Sequence, residues 1–220
     1  MKLSDNTIAI LKNFATINPS ILVRPGSTLS TISQHKSIFA KAIVTETFPR
    51  EFAIYELTKF LGVLSLFNDP EIEFEEKSML IKSGNQQLSY TYAEPTMIVA
   101  PPEKEIGFPE PEIDFNITQE ELQKVVRATG VLQVPDISVQ GDEEVIRVYA
   151  LNPKNSTGDT FSIDVGKTDK HFDMFFKADN ITKLIPANYN VKISSQGLAL
   201  YTSDKISYYV ATESNSKYQG

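Results

Sequence analysis

Three features of this 220-residue chain predict an α+β fold of two similar domains, each made of two helix-plus-strands units on antiparallel sheets. First, the order of elements repeats. FAIYELTKFLGVLSLFND followed by MLIKSGNQQLSYTY runs strand, helix, strands, and so does FDMFFKADNITKLIPAN followed by LALYTSDKISYYV. Second, four segments place apolar residues at three- and four-residue steps, while the others alternate every second residue. Third, Pro95, Pro101, Pro102 and Pro109 interrupt the chain, and proline supplies no amide to a strand ladder. The expected organisation is a domain over residues 1–93, a linker over 94–110 and a domain over 111–220.

The first element is an amphipathic helix capped by Ser4, with Leu3, Ile10, Leu11, Phe14 and Ile17 inward. After Pro19, residues 21–24, 28–33 and 38–46 read as an antiparallel meander with a turn at Pro25 and Gly26. Residues 51–55 form a strand and 57–66 a second helix, with Leu57, Phe60, Leu61 and Leu64 inward and Asn68-Asp69-Pro70 as its stop. Strands follow near 71–75, 79–82 and 88–92. In the first of these Ile72 and Phe74 alternate with Glu71, Glu73 and Glu75, so one face packs and the other is wet.

Beyond the linker, a strand near 112–116 leads into a helix opened by Thr118. Glu121 stands three residues on, which is the spacing of a capping box. Leu122, Val125, Val126 and Thr129 point inward from this helix. Strands near 136–140, 145–150, 161–165 and 172–176, a short helix over 178–185, and strands near 189–193, 198–201 and 206–212 complete the chain. The repeat sets Leu88, Tyr90 and Tyr92 against Ile206, Tyr208 and Val210.

Composition narrows the chemistry. With no cysteine there is no thiol catalysis, no Cys-ligated metal and no disulfide framework. A chain of this length can bury roughly 70% of its unfolded surface and needs no such staple. Ser4, Asp5 and Asn6 break the apolar run of a signal peptide, and no window reaches the length of a membrane span. Gly166-Lys167-Thr168 looks like the end of a phosphate-binding loop, but Phe161 stands where that loop needs glycine. His35 lies in a polar loop, and His171 with Asp173 falls on a solvated strand face. Two unrelated histidines make no metal site. The acidic runs Glu71–Glu76 and Asp142–Glu144 lack the spacing of a calcium loop. An enzyme is disfavoured, and no catalytic residue, metal or cofactor is expected.

The net charge of -7 argues at first sight against a nucleic-acid partner. The positive residues, however, concentrate on the helices. Lys12, Lys59, Lys124, Arg127, Lys177 and Lys183 all avoid the apolar stripe of their element, and the dense acidic runs lie in strands, hairpins and the linker. What matters for DNA is the local distribution, not the sum.

MKLSDNTIAILKNFATIN, FAIYELTKFLGVLSLFND and MIVAPPEKEIGFPEPE resemble the sliding clamps of T4-type bacteriophages, the DNA polymerase processivity factors, over essentially the full length. The resemblance implies a clamp fold with antiparallel sheets outside and helices inside, closing head to tail into a homotrimeric ring. It implies sequence-independent, topological retention of duplex DNA, with the six cations above facing the DNA. Expected partners are other copies of the chain, the replicative polymerase, a clamp-loader ATPase and phage late-transcription factors; no membrane is involved. The place of action would be the cytoplasm of an infected bacterium. Leu88, Tyr90 and Tyr92 on one copy, and Phe161, Ile163 and Val165 on the next, are the candidate subunit interface by sheet extension. Ile98, Val99, Phe108, Pro186 and Tyr209 are the candidate pocket for partner peptides. The rival from another class is a β-rich, non-enzymatic virion or attachment protein.

Overall fold

The computed structural model describes residues 1–104, 106–155 and 157–219, and the chain divides into two compact units, Met1–Lys104 and Glu105–Gly220. The break falls inside the proline-rich stretch.

Unit 1 runs α1 (Asp5–Ile17), β1 (Ile21–Val23), β2 (Gly26–Ile32), β3 (Ile38–Phe48), β4 (Phe52–Ile54), α2 (Leu57–Leu64), β5 (Glu71–Phe74), β6 (Ser78–Ser83) and β7 (Gln86–Thr91), then a single 3-10 turn at Pro95–Met97. Ser4 caps α1, its hydroxyl accepting from the Thr7 amide at 3.3 Å. Ile10, Leu11, Phe14 and Ile17 are buried as expected and Thr7 joins them, whereas Leu3 precedes the helix and is half-buried. β2 and β3 form a hairpin, and β5, β6 and β7 an antiparallel sheet in that order. The meander expected over 21–46 does not form, because β1 pairs with β4 instead, Leu22 opposite Ala53. Every residue of these two short strands is buried. Lacking the alternation of a half-wet strand, they pair with each other in the interior, and Gly26, at φ 113°, turns the chain away into β2. Phe48, Phe52, Phe74 and Tyr92 form an aromatic cluster with centroids 5.3–6.3 Å apart.

Unit 2 runs β8 (Ile113–Ile117), α3 (Gln119–Leu132), β9 (Asp136–Asp142), β10 (Val145–Leu151), β11 (Phe161–Lys167), β12 (His171–Lys177), α4 (Ala178–Ile181), β13 (Tyr189–Ser194), β14 (Leu198–Thr202), β15 (Ile206–Ala211) and β16 (Lys217–Tyr218). The capping box is complete: Thr118 Oγ1 accepts from the Glu121 amide, and Glu121 returns a carboxylate oxygen to the Thr118 amide at 2.8 Å. One sheet has the order β11-β10-β9-β12-β16, and β8, β13, β14 and β15 pair in succession.

Two helices end before their expected limits. α2 tightens after Leu64, where the Leu66 amide reaches back only to Val63, and α4 is four residues long, not eight. Beyond Ile181 the amides of Lys183 and Leu184 bond three residues back, and Pro186 blocks an α conformation for the residue before it. β16 has no counterpart in the expected elements. The buried rings of Tyr189, Tyr201 and Tyr208 meet edge-on. Gly141 on β9 lies under the Phe172 ring. A Cβ there would fall 2.4 Å from that ring and 2.8 Å from the Lys170 carbonyl.

Candidate nucleic-acid interface and strand edges

Within each unit the helices share a face. α1 packs on α2 and on β3, while α3 packs on β10, β11 and α4. Of the six cations predicted to face DNA, Lys12, Lys59, Lys124 and Arg127 are exposed on α1, α2 and α3, whereas Lys177 ends β12 and Lys183 follows α4, and the structure separates all six by what holds them. Lys59 lies 3.5 Å from Glu56, Lys124 lies 2.7 Å from Glu120, and Lys183 lies 2.7 Å from Asp179. The Lys124 ammonium in turn holds the Glu120 carboxyl below its ordinary pKa by hydrogen bond and charge. Lys177 is the most committed. It bonds buried Asp136 at 2.9 Å and reaches Glu213 at 3.3 Å, and the Asp136 hydrogen bond raises its pKa. Lys12 and Arg127 form no ion pair among the described residues, and both are exposed.

The two helices can be superposed by burial. Buried Thr7, Ile10 and Phe14 on α1 match buried Leu122, Val125 and Thr129 on α3 at one constant spacing, which also sets Leu11 against half-buried Val126. That spacing puts Lys12 and Arg127 at the same site of the repeat, and Asp5 with Glu120. The correspondence is a property of the buried pattern that charge counting alone does not reveal.

The predicted subunit-interface residues lie on strands that end their sheets. Among the described residues β7 pairs only with β6 in the three-stranded sheet, and β11 only with β10. Leu88 and Tyr90 on β7, Tyr92 just past its end, and Phe161, Ile163 and Val165 on β11 are all half-buried at alternate positions. β7 also borders an open groove of about 440 Å³, shared with Tyr55, Glu56, Lys59 and Val63 from the α2 region. Tyr55 is 55% exposed there.

The predicted peptide-pocket residues divide between the units. In unit 1, Ile98 is buried against Leu22 and Ala53, so its side chain belongs to the core. Its neighbours Met97 and Val99 face solvent. The Val99 carbonyl accepts from the buried Asn18 amide at 3.0 Å. Met97 went unread in the sequence because an isolated apolar residue in a proline-rich stretch has no period to mark it. In unit 2, Phe108 meets Tyr209 edge-on at 6.2 Å. Pro186 is exposed and follows Ile185, whose carbonyl accepts from Tyr189 and whose amide donates to Tyr208.

Gly166 and Lys167 lie within β11 and the Thr168 amide bonds the Glu144 carbonyl, so this run opens no helix. Among the described residues no three His, Asp or Glu side chains gather as a metal site, and no helix is long and apolar enough to cross a membrane.

Comparison with known proteins defines the class first. The fold is that of DNA clamps: the chain superposes on the proliferating cell nuclear antigen of Entamoeba histolytica with a TM-score of 0.69 at 11% identity, covering 94% of each chain. It also superposes on the DNA polymerase III beta chain of Streptococcus pneumoniae with a TM-score of 0.70 at 12% identity, over 97% of this chain and 64% of that one. Residues 3–100 match the family model described as DNA polymerase processivity factor, and residues 114–214 match the C-terminal part of the gp45 sliding clamp. Full-length relatives are the sliding clamp of Vibrio phage KVP40, 33% identical over 97% of this chain and 99% of its own, and that of Enterobacteria phage T4, 32% identical over 98% of each. The chain belongs to the sliding-clamp family of DNA polymerase processivity factors, which is not a catalytic family. The attachment-protein reading has no support from these relatives.

Proposed function

We propose that three copies of this chain close head to tail into a ring that encircles duplex DNA and tethers the replicative polymerase. The observation that carries this reading is the pair of sheet-ending strands. β7 and β11 each present half-buried apolar residues at alternate positions, and joining one to the other across copies extends both sheets. The helix faces supply the DNA contact. Lys12 and Arg127 offer unpaired charge, while Lys59, Lys124, Lys177 and Lys183 are balanced locally by carboxylates. Phosphate contacts of this kind carry no sequence information and weaken with salt, so retention comes from enclosure and not from affinity. Acidic outer surfaces then repel DNA from everywhere except the channel.

In this reading the contacts for partner peptides are Val99 on unit 1, with Met97 added as an exposed apolar residue and Ile98 anchoring the segment from the core, and Phe108, Pro186 and Tyr209 on unit 2. The clamp-loader ATPase and late-transcription proteins complete the set of partners in this reading, and the infected bacterial cytoplasm is its place of action. Native mass measurement and a primer-extension assay on circular template test it together. The expected result is a three-copy species and longer products from the cognate polymerase. A single-chain species with unchanged product length would overturn it.

A further inference from the structure

β12 is bounded on one side by β9 along its whole length, and on the other by the segment that follows β15. That segment is short and mostly polar, yet it meets the outward backbone of β12 at each alternate residue. The Gln219 amide donates to the His171 carbonyl at 3.0 Å, and Asp173 stands in register with Lys217. At Phe175 the carbonyl accepts from the Glu213 amide at 2.8 Å, and the amide donates to Ser216 Oγ at 2.9 Å. Side chains fasten both ends. Glu213 joins the Lys177–Asp136 pair, and Tyr218 stacks on Phe172 at 6.4 Å and 19° beneath the Lys170 ammonium.

Unit 1 contains a thinner version of the same device. After β7 the Ala93 amide donates to the Ala53 carbonyl on β4 at 2.9 Å, and Tyr92 stacks on Phe52 at 5.4 Å and 27°. The return of the chain to this strand, with a tyrosine laid over a phenylalanine, therefore recurs in the repeat. In unit 2 it covers a strand of seven residues. Bare, that edge would be a template for pairing with another chain. Its cover has only two residues of strand, and Ser214, Asn215, Lys217 and Gln219 are exposed, so few buried apolar contacts resist its local opening.

We propose that the β12 edge is a strand-addition surface held in cis by residues 213–219, and that its competing occupant is the β7 edge of a second copy. The inference rests on the reading of β7 as the edge through which copies join. With the segment in place β7 finds β11 and the assembly closes; without it β7 has two acceptors, and contacts through β12 lead to assemblies that do not close.

Two variants test this by native mass spectrometry and sedimentation over a hundredfold range of concentration: a chain ending at Thr212, and full-length protein carrying Ser216→Ala with Lys217→Pro. The second keeps every residue outside the strap and removes one hydroxyl and one amide from it. Both are expected to add a concentration-dependent series heavier than the wild-type species, at least several-fold more abundant than in wild type. A synthetic peptide of residues 213–220 in excess should suppress that series in the shortened chain, and Leu88→Lys should abolish it in both. Masses identical to wild type would overturn the proposal, and so would heavy species that neither the peptide nor Leu88→Lys reduces, since these report unfolding. Wild-type protein that remains a single chain would count against the ring, whereas the edge is judged by the difference between variants and wild type.

Discussion

β7 in unit 1 and β15 in unit 2 hold the same place in the repeat and end in different surroundings. Leu88 and Tyr90 on β7 and Tyr92 just after it are half-buried, whereas Ile206, Tyr208 and Val210 on β15 are buried. Tyr208 packs edge-on against Tyr189 and accepts the Ile185 amide, which burial of its own ring would otherwise leave without water. Tyr90 touches Phe60 at 5.3 Å and keeps one side open to the groove beside α2. The same apolar alternation thus completes a core in one unit and leaves a free edge in the other. The period of a strand says which residues share a face; it does not say whether that face is already covered.

The largest effects should come from changes that treat the two strands as equals when they are not. Ile206→Lys buries an unpaired ammonium and should unfold unit 2, read as loss of the cooperative thermal transition. Leu88→Lys, its repeat counterpart, should leave the far-ultraviolet circular dichroism and melting temperature nearly unchanged while converting the proposed ring to single chains. If Leu88→Lys unfolds the protein as well, β7 is core and the comparison fails. Gly141→Ala comes next, because its methyl meets both the Phe172 ring and a backbone carbonyl. Overpacking of this kind costs about 1–3 kcal/mol, measurable by urea denaturation.

A smaller effect separates the cations. Lys12→Glu and Arg127→Glu should each lower the salt dependence of DNA retention by about one phosphate contact per altered site. Lys177→Glu should act mainly through stability, because it strands buried Asp136. Equal loss of processivity for all three would show that the ion pairs do not rank them.

The smallest contrast lies in the helix caps. α3 takes its capping carboxylate from its own Glu121, while α1 receives that of Glu46 from β3, through the Ser4 amide and through Thr7 Oγ1 at 2.5 Å. Partial burial pushes the Glu46 carboxyl up, but the hydrogen bonds from Thr7 and Ser4 outweigh it and bring its pKa from 4.5 to about 2. A carboxyl depressed in the folded state adds stability that is complete above its unfolded value and is lost as pH falls through the folded one. Wild type should therefore lose this contribution between about pH 4.5 and 2. Glu46→Gln should be less stable at pH 7 and show a flatter decline across that window in thermal melts.

Local features were the readable part. The Ser4 cap, the capping box at Thr118 and Glu121, the inward stripes and the repeat all follow from spacing within a few turns of chain. The pairing of β1 with β4 joins residues some thirty apart in sequence, and nothing in ILV or FAI names its partner. Much the same holds for the cations. Lys124 and Lys183 have their carboxylates four residues away, visible on a helical wheel, but Lys177 is held by Asp136 and Glu213, which only the folded sheet brings near. Ile98 could be read as apolar but not as buried, since that depends on Leu22 and Ala53 lying beneath it.

The recurrence of an unpaired cation at one site of the repeat, Lys12 on α1 and Arg127 on α3, bears on friction. In the proposed three-copy ring these would become six like charges at repeated stations facing a polymer whose own charges are evenly spaced. As the duplex advanced through such a ring, one station would lose a phosphate while another gained one, so the summed attraction would change little along the path. A ruggedness of this kind, small against thermal energy, permits sliding at rates set by diffusion, whereas a single strong cluster would make the ring pause at every phosphate.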